Sequence, residues 1–147
     1  MLGIAQLGDP IIIFGSQSAL VQTGETLTNS YTGVGAVVSP TIRAEGVYAI
    51  AIDLTYAMGA AETSNTAEVK IEGSHDGTNW YQFVNDATSS GVSTIDLREF
   101  KLNGEGSYHL PIIDVFTNYL RLSAKETGVS SNYGTIFGKI TLLGSNK

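Results

Sequence analysis

The chain has 147 residues, no cysteine, and 14 acidic against 8 basic side chains, for a formal net charge of −6. The length suits one domain with a real core, the missing cysteines exclude disulfides, thiolate metal sites and cysteine nucleophiles, and the acidic balance excludes a phosphate-backbone binder. Charged residues are too few, at 15% against 42% hydrophobic, for global disorder, and about a third of the chain is Gly, Ser or Thr, which weaken helices and populate turns and strand faces.

The first 24 residues hold isolated apolar clusters, Leu2-Ile4 and Ile11-Ile12-Ile13-Phe14, separated by Gly and polar residues. They read either as an edge strand of the domain that follows (residues 25–147) or as an arm that packs on another copy. The Ile11–Phe14 run is short of the ~7–15 apolar residues of a signal core, and no run of ~18 could form a membrane-spanning helix. The expectation is a soluble chain assembled in a cytoplasm, with no membrane partner.

Gly33 to Ser39 is a small-residue stretch ahead of Pro40. Val47 to Ala57 follows as the strongest strand. Ile50, Ile52, Leu54 and Tyr56 share one face and Val47, Ala49 and Ala51 the other, until Asp53 interrupts the second. A large apolar face backed by small residues predicts a central strand. Met58 to Asn65 reads as a loop. Thr66 to Gly73 alternates Ala67, Val69 and Ile71 inward against Glu68, Lys70 and Glu72 outward, the pattern of a half-buried strand. Asp76-Gly77 predicts a tight hairpin turn, and Trp80 to Val84 the returning strand.

Asn85 to Ser93 reads as a loop, and Thr94 to Leu102 as a strand anchored by Ile95, Leu97, Phe100 and Leu102. Asn103 to Gly106 is a turn. Ser107 to Ile113 is a strand that Pro111 places at an edge or a strand end. Asn118 to Lys125 alternates Leu120, Leu122 and Ala124 against Tyr119, Arg121 and Ser123. Glu126 to Tyr133 reads as a turn-rich loop, and Thr135 to Leu143 as the closing strand, with Ile136, Ile140 and Leu142 on one face. With no sustained helical period, the fold expected is all-β: a single β-sandwich or jelly roll of about eight strands.

Little in this pattern points to catalysis. His75 and His109 stand 34 positions apart without an HxH or HxxxH partner, so a metal site is not expected. The carboxylates are scattered, Asp53, Asp76, Asp86, Asp96, Asp114 and eight Glu among them, mostly on turns and wet faces where solubility explains them. Asp76 with Asn79 could contribute to a calcium site, but the dense ligand spacing of an EF-hand loop is absent. No nucleophile elbow, phosphate loop or dinucleotide fingerprint occurs. The chain is therefore expected to be no enzyme and to need no cofactor. Seven Tyr and one Trp suit a sugar-binding face or a protein interface.

The run Val69 to Trp80, with its Ser74-x-Asp76-Gly77-x-x-Trp80 core, resembles a recurring hairpin in virion proteins of tailed phages. Asn118-Tyr119-Leu120-Arg121-Leu122 and the Gly134-x-Ile136-x-Gly138 strand follow in the same order. Over about residues 47–143 the chain looks like a head decoration protein. The same hairpin is also similar to discoidin and other galactose-binding jelly rolls, whose secreted members usually carry a disulfide and a signal peptide, both missing here. The first resemblance implies a homotrimer on the outer surface of the major capsid protein shell. Under it, residues 1–24 would be an arm and Ile11, Ile12, Ile13 and Phe14 its anchor on a neighbour, so that deleting the arm would weaken attachment and spare the fold. Ser74, Asp76, Gly77 and Trp80 would be the structural hairpin. The alternatives are a carbohydrate-binding module on a head fibre or tail, and another virion component such as a minor tail or neck protein.

Overall fold

The computed structural model describes residues 3–82 and 99–146, with side chains described for 5–82, 99–110 and 114–144. Phe83 and Val84, the loop from Asn85 to Ser93, Ile95 and Leu97 lie outside the described residues. The strands, in chain order, are β1 (Gly3–Gln6), β2 (Ile11–Phe14), β3 (Ser16–Ser18), β4 (Val21–Thr23), β5 (Glu25–Thr26), β6 (Val37–Val38) and β7 (Ile42–Arg43). They continue as β8 (Val47–Ala57), β9 (Thr66–Ser74), β10 (Tyr81–Gln82), β11 (Glu99–Leu102), β12 (Gly106–Asp114), β13 (Tyr119–Thr127) and β14 (Thr135–Asn146). No helix occurs among the described residues, and the fold is an all-β sandwich. Among the described residues fourteen strands replace the expected eight or so, because nine of them are only two to four residues long, too short for a period of two to register.

Each sheet is built round a central long strand, with short segments tiling the far edge. In the first, β14 pairs with β8 on one side and in turn with β1, β2 and β5 on the other, while β12 forms the edge beyond β8. In the second, β13 pairs with β9 on one side and with β6 and β7 on the other, while β10 and β11 line the far side of β9. The long strands β8, β9, β12, β13 and β14 alternate between the two sheets. Pro111 lies in the edge strand β12, inside the register shift between Leu110 and Ile113, where a missing N–H costs no ladder bond.

The core forms where the inward faces meet. Ile50, Ile52, Leu54 and Tyr56 of β8 and Ile136 and Ile140 of β14 face Val69 and Ile71 of β9 and Leu120 and Leu122 of β13, all fully buried. At roughly 1.5–3 kcal/mol for each fully buried large side chain, this layer dominates the favourable side of folding. Ile13 and Phe14 of β2 belong to the same core. Gly138 makes room for them: a Cβ there would lie 2.9 Å from Leu54, 3.0 Å from Phe14 and 3.1 Å from Ile13. At Gly134, just before β14, a Cβ would overlap the Ala57 carbonyl oxygen, so this glycine and Gly138 both answer to close approach.

Three local expectations are corrected. Gly73 pairs with Tyr81, so the turn of the first hairpin is the seven-residue loop 74–80 and not a tight two-residue one. Glu126 is not in a loop but in β13, and it is wholly buried. Glu72, expected on a wet face, is also buried, beneath Arg121.

Candidate functional site

The Ser74-x-Asp76-Gly77-x-x-Trp80 residues form a self-capped loop. The Ser74 hydroxyl donates to Asp76 Oδ1 at 2.9 Å and accepts from the Gly77 N–H at 2.9 Å. Asp76 Oδ1 accepts from the N–H groups of Thr78 and Asn79, both at 2.8 Å, and Oδ2 accepts from the Asn79 amide at 2.7 Å. These donors, led by the Asn79 and Thr78 N–H groups, hold the Asp76 carboxyl well below the usual carboxylate range. Gly77 supplies the positive φ of 76° that the loop requires. Both carboxylate oxygens are thus engaged by the chain's own donors. The loop ends by placing Trp80 against the Arg121 guanidinium, 4.4 Å from its ring centre.

The two histidines stay apart. His75 is exposed in the loop, and its carbonyl accepts from the Asn118 amide. His109 on β12 meets its cross-strand neighbour Asp53 on β8 through Nδ1, with the side chains 67% and 60% exposed. This pair lies on the open outer face of the first sheet. No group of three or more His, Asp or Glu that could hold a metal occurs among the described residues.

Two carboxylates that composition assigns to solubility instead brace one end of the sandwich. Glu126 accepts from the Tyr56 hydroxyl of the opposite sheet, from the Gly134 N–H at 2.7 Å and from the Asn65 amide at 3.4 Å. Burial, then the Glu126 hydrogen bond, pushes the Tyr56 phenol upward. Glu62 is gripped by the consecutive N–H groups of Ser130, Ser131 and Asn132 at 2.7–3.0 Å and by the Ser130 hydroxyl at 2.8 Å. The Ser131 and Asn132 N–H groups lead in lowering its carboxyl to about 2.

The concave surface is on the outer face of the second sheet. There β9 and β13 align Glu72 with Arg121, Lys70 with Ser123 and Glu68 with Lys125 across the ladder. Arg121 holds Glu72 with Nε–Oε1 at 3.0 Å and a second contact at 3.4 Å. Lys125 sits 3.4 Å from Glu68. Tyr31, carried by the loop that joins β5 to β6, lies over this face, with the Lys70 and Lys125 ammonium groups 4.8 and 4.7 Å from its ring centre. Between loop and sheet is an open groove of about 380 Å³, lined in part by Tyr31, Thr32, Val38, Lys70, Arg121 and Ser123. Burial, with Glu99 and Glu68 nearby, raises the Tyr31 phenol. Nothing in the sequence marks Tyr31, because its contacts lie about 40 and 94 positions away.

The residues expected to anchor a partner divide. Ile13 and Phe14 are 3% and 0% exposed in the chain's own core, Ile12 is half-buried and Ile11 is 37% exposed. The apolar surface of this segment is carried instead by the β3–β4 hairpin, which among the described residues pairs only with itself and lies outside both six-stranded sheets. Its tip presents Leu20, 96% exposed, and Val21, 64% exposed. Glycines close its base: a Cβ at Gly24 would lie 2.8 Å from Thr135, and one at Gly15 would overlap the Thr23 carbonyl oxygen. No protein-family model matches this chain, and no curated protein matches it.

Proposed function

We propose that the chain is a non-enzymatic virion protein, a decoration protein that attaches as an oligomer to the outer surface of a major capsid protein shell and strengthens it. The β3–β4 hairpin carries the reading. It sets a bare leucine and valine, with no charged residue between Ser16 and Gly24, on a base clamped to β14. A large apolar side chain held out in this way gains free energy only when a partner buries it. The dense sandwich behind it, tied between its sheets by Tyr56 and Glu126, suits a part that bears load rather than one that turns over substrate. The hairpin replaces Ile11–Phe14 as the anchor, since two of those four side chains are already used inside the fold.

The test is co-sedimentation with assembled shells of the virus that encodes the chain, for the wild type and for Leu20→Ser with Val21→Ser. The expected result is saturable pelleting of the wild type, at least ten-fold weaker binding of the double variant, and equal melting temperatures. No pelleting of the wild type, or equal pelleting of both, overturns the reading.

A further inference from the structure

The groove beneath Tyr31 is independent of the hairpin and has its own chemistry. Its lining includes two cations and one anion, Lys70, Arg121 and Glu72, so one positive charge is left over. Glu72 accepts its hydrogen bonds from Arg121 and meets Lys70 only at 3.8 Å, beyond hydrogen-bonding distance. Lys70 is nevertheless largely withdrawn from water, with 17% of its side chain exposed. A half-desolvated ammonium with unspent donors is the kind of group that a ligand oxygen stabilises. The Tyr31 hydroxyl adds a buried polar atom without a hydrogen-bond partner among the described residues. Thr32 and Ser123 supply hydroxyls, and the Tyr31 ring and Val38 supply apolar surface.

We propose that this groove binds a carboxylate carried on a hydroxylated ring, the chemistry of an acidic sugar. The carboxylate meets Lys70 and the free N–H groups of Arg121. The ring hydroxyls exchange hydrogen bonds with Thr32 and Ser123, and the C–H face of the ring packs on Tyr31 and Val38. Its volume of about 380 Å³ lies within the range of small-ligand sites, roughly 300–1,000 Å³. The single surplus charge selects a monoanion over a phosphate dianion or a polyanion. Trp80 and Glu72 hold Arg121 from two sides, so its orientation is set before the ligand arrives.

The experiment is a titration of the intact chain followed by amide chemical shifts. The probes are glucuronate, glucose as the neutral counterpart, and a glycan ending in a uronic acid, each also tested on Lys70→Gln. Saturable shifts at Thr32, Lys70 and Ser123 with glucuronate, at least ten-fold weaker with glucose and with the variant, support the proposal. Tighter binding of the terminal glycan than of free glucuronate identifies a surface glycan as the source, and equal binding identifies the free acid. No saturable shift, shifts that map away from the groove, or equal response to glucose overturns it. Capsid attachment through Leu20 is read by a separate assay, so either proposal can fail alone.

Discussion

Glu62 and Asp76 are both carboxylates seated in rings of N–H donors, and both are held acidic by them. The donors to Asp76 lie within three residues of it, so its partners are local in the chain even though the turn is longer than the tight one expected at Asp76-Gly77. Those of Glu62 lie 68 to 70 positions further on, and only the folded chain brings them together. Because the folded carboxyl of Glu62 is depressed to about 2, its contribution is complete above the ordinary glutamate range and is lost as pH falls from there toward 2. Glu62→Gln should therefore abolish this part of the acid dependence. It should also speed hydrogen exchange at Ser130, Ser131 and Asn132 near neutral pH, while amides in β8 stay protected. Unchanged exchange at those three amides would show that the latch does not hold the loop.

Among the elements, the long strands were legible because alternation over nine or more residues decides which face is buried. In β8 and β13 every large side chain assigned inward is buried. The N-terminal segment was ambiguous, since a four-residue apolar run fits an edge strand and an arm equally well. Pairing decides: Phe14 aligns with Gly138, whose missing Cβ leaves the space the ring fills. Phe14→Ala should cost about 3–5 kcal/mol of unfolding free energy, the range for emptying a buried phenylalanine site, measured by denaturant titration. A loss below about 1 kcal/mol would mean that β2 is not part of the cooperative core. For the same reason, removing residues 1–24 strips side chains from the core, and a truncation of that length is a poor probe of attachment. The hairpin tip, where both side chains are exposed, is the better one.

Across the whole molecule, the two sheets are joined by their apolar faces and by polar ties at Glu126, chief among them the Tyr56 hydroxyl to its carboxylate. Tyr56→Phe keeps the ring and removes the donor, leaving a buried carboxylate oxygen short of a partner. The expected cost is about 1–3 kcal/mol, read as a lower denaturation midpoint at an unchanged m-value. A neutral result would show that water or Asn65 takes over the bond. Charge is also unevenly spread: Lys70, Lys101, Arg121 and Lys125 are four of the eight basic residues, and all lie on the strands of the second sheet. The same strands carry Glu68, Glu72 and Glu99 as their cross-strand partners, so an acidic chain gathers much of its positive charge into one face of alternating ion pairs.

By itself, the sequence determined the class of fold, the place of the five long strands, the inward apolar faces of β8, β9 and β13, and a reversal of the chain at Asp76-Gly77. Each depends on a repeat of two residues or on partners a few positions apart, and such information is local. The tertiary structure alone decided that Ile13 and Phe14 face inward, that Leu20 is bare, that Glu126 is buried and that Tyr31 roofs a groove. These outcomes depend on which distant strands become neighbours, and strand pairing across about 45 to about 130 positions leaves no period in the chain to read.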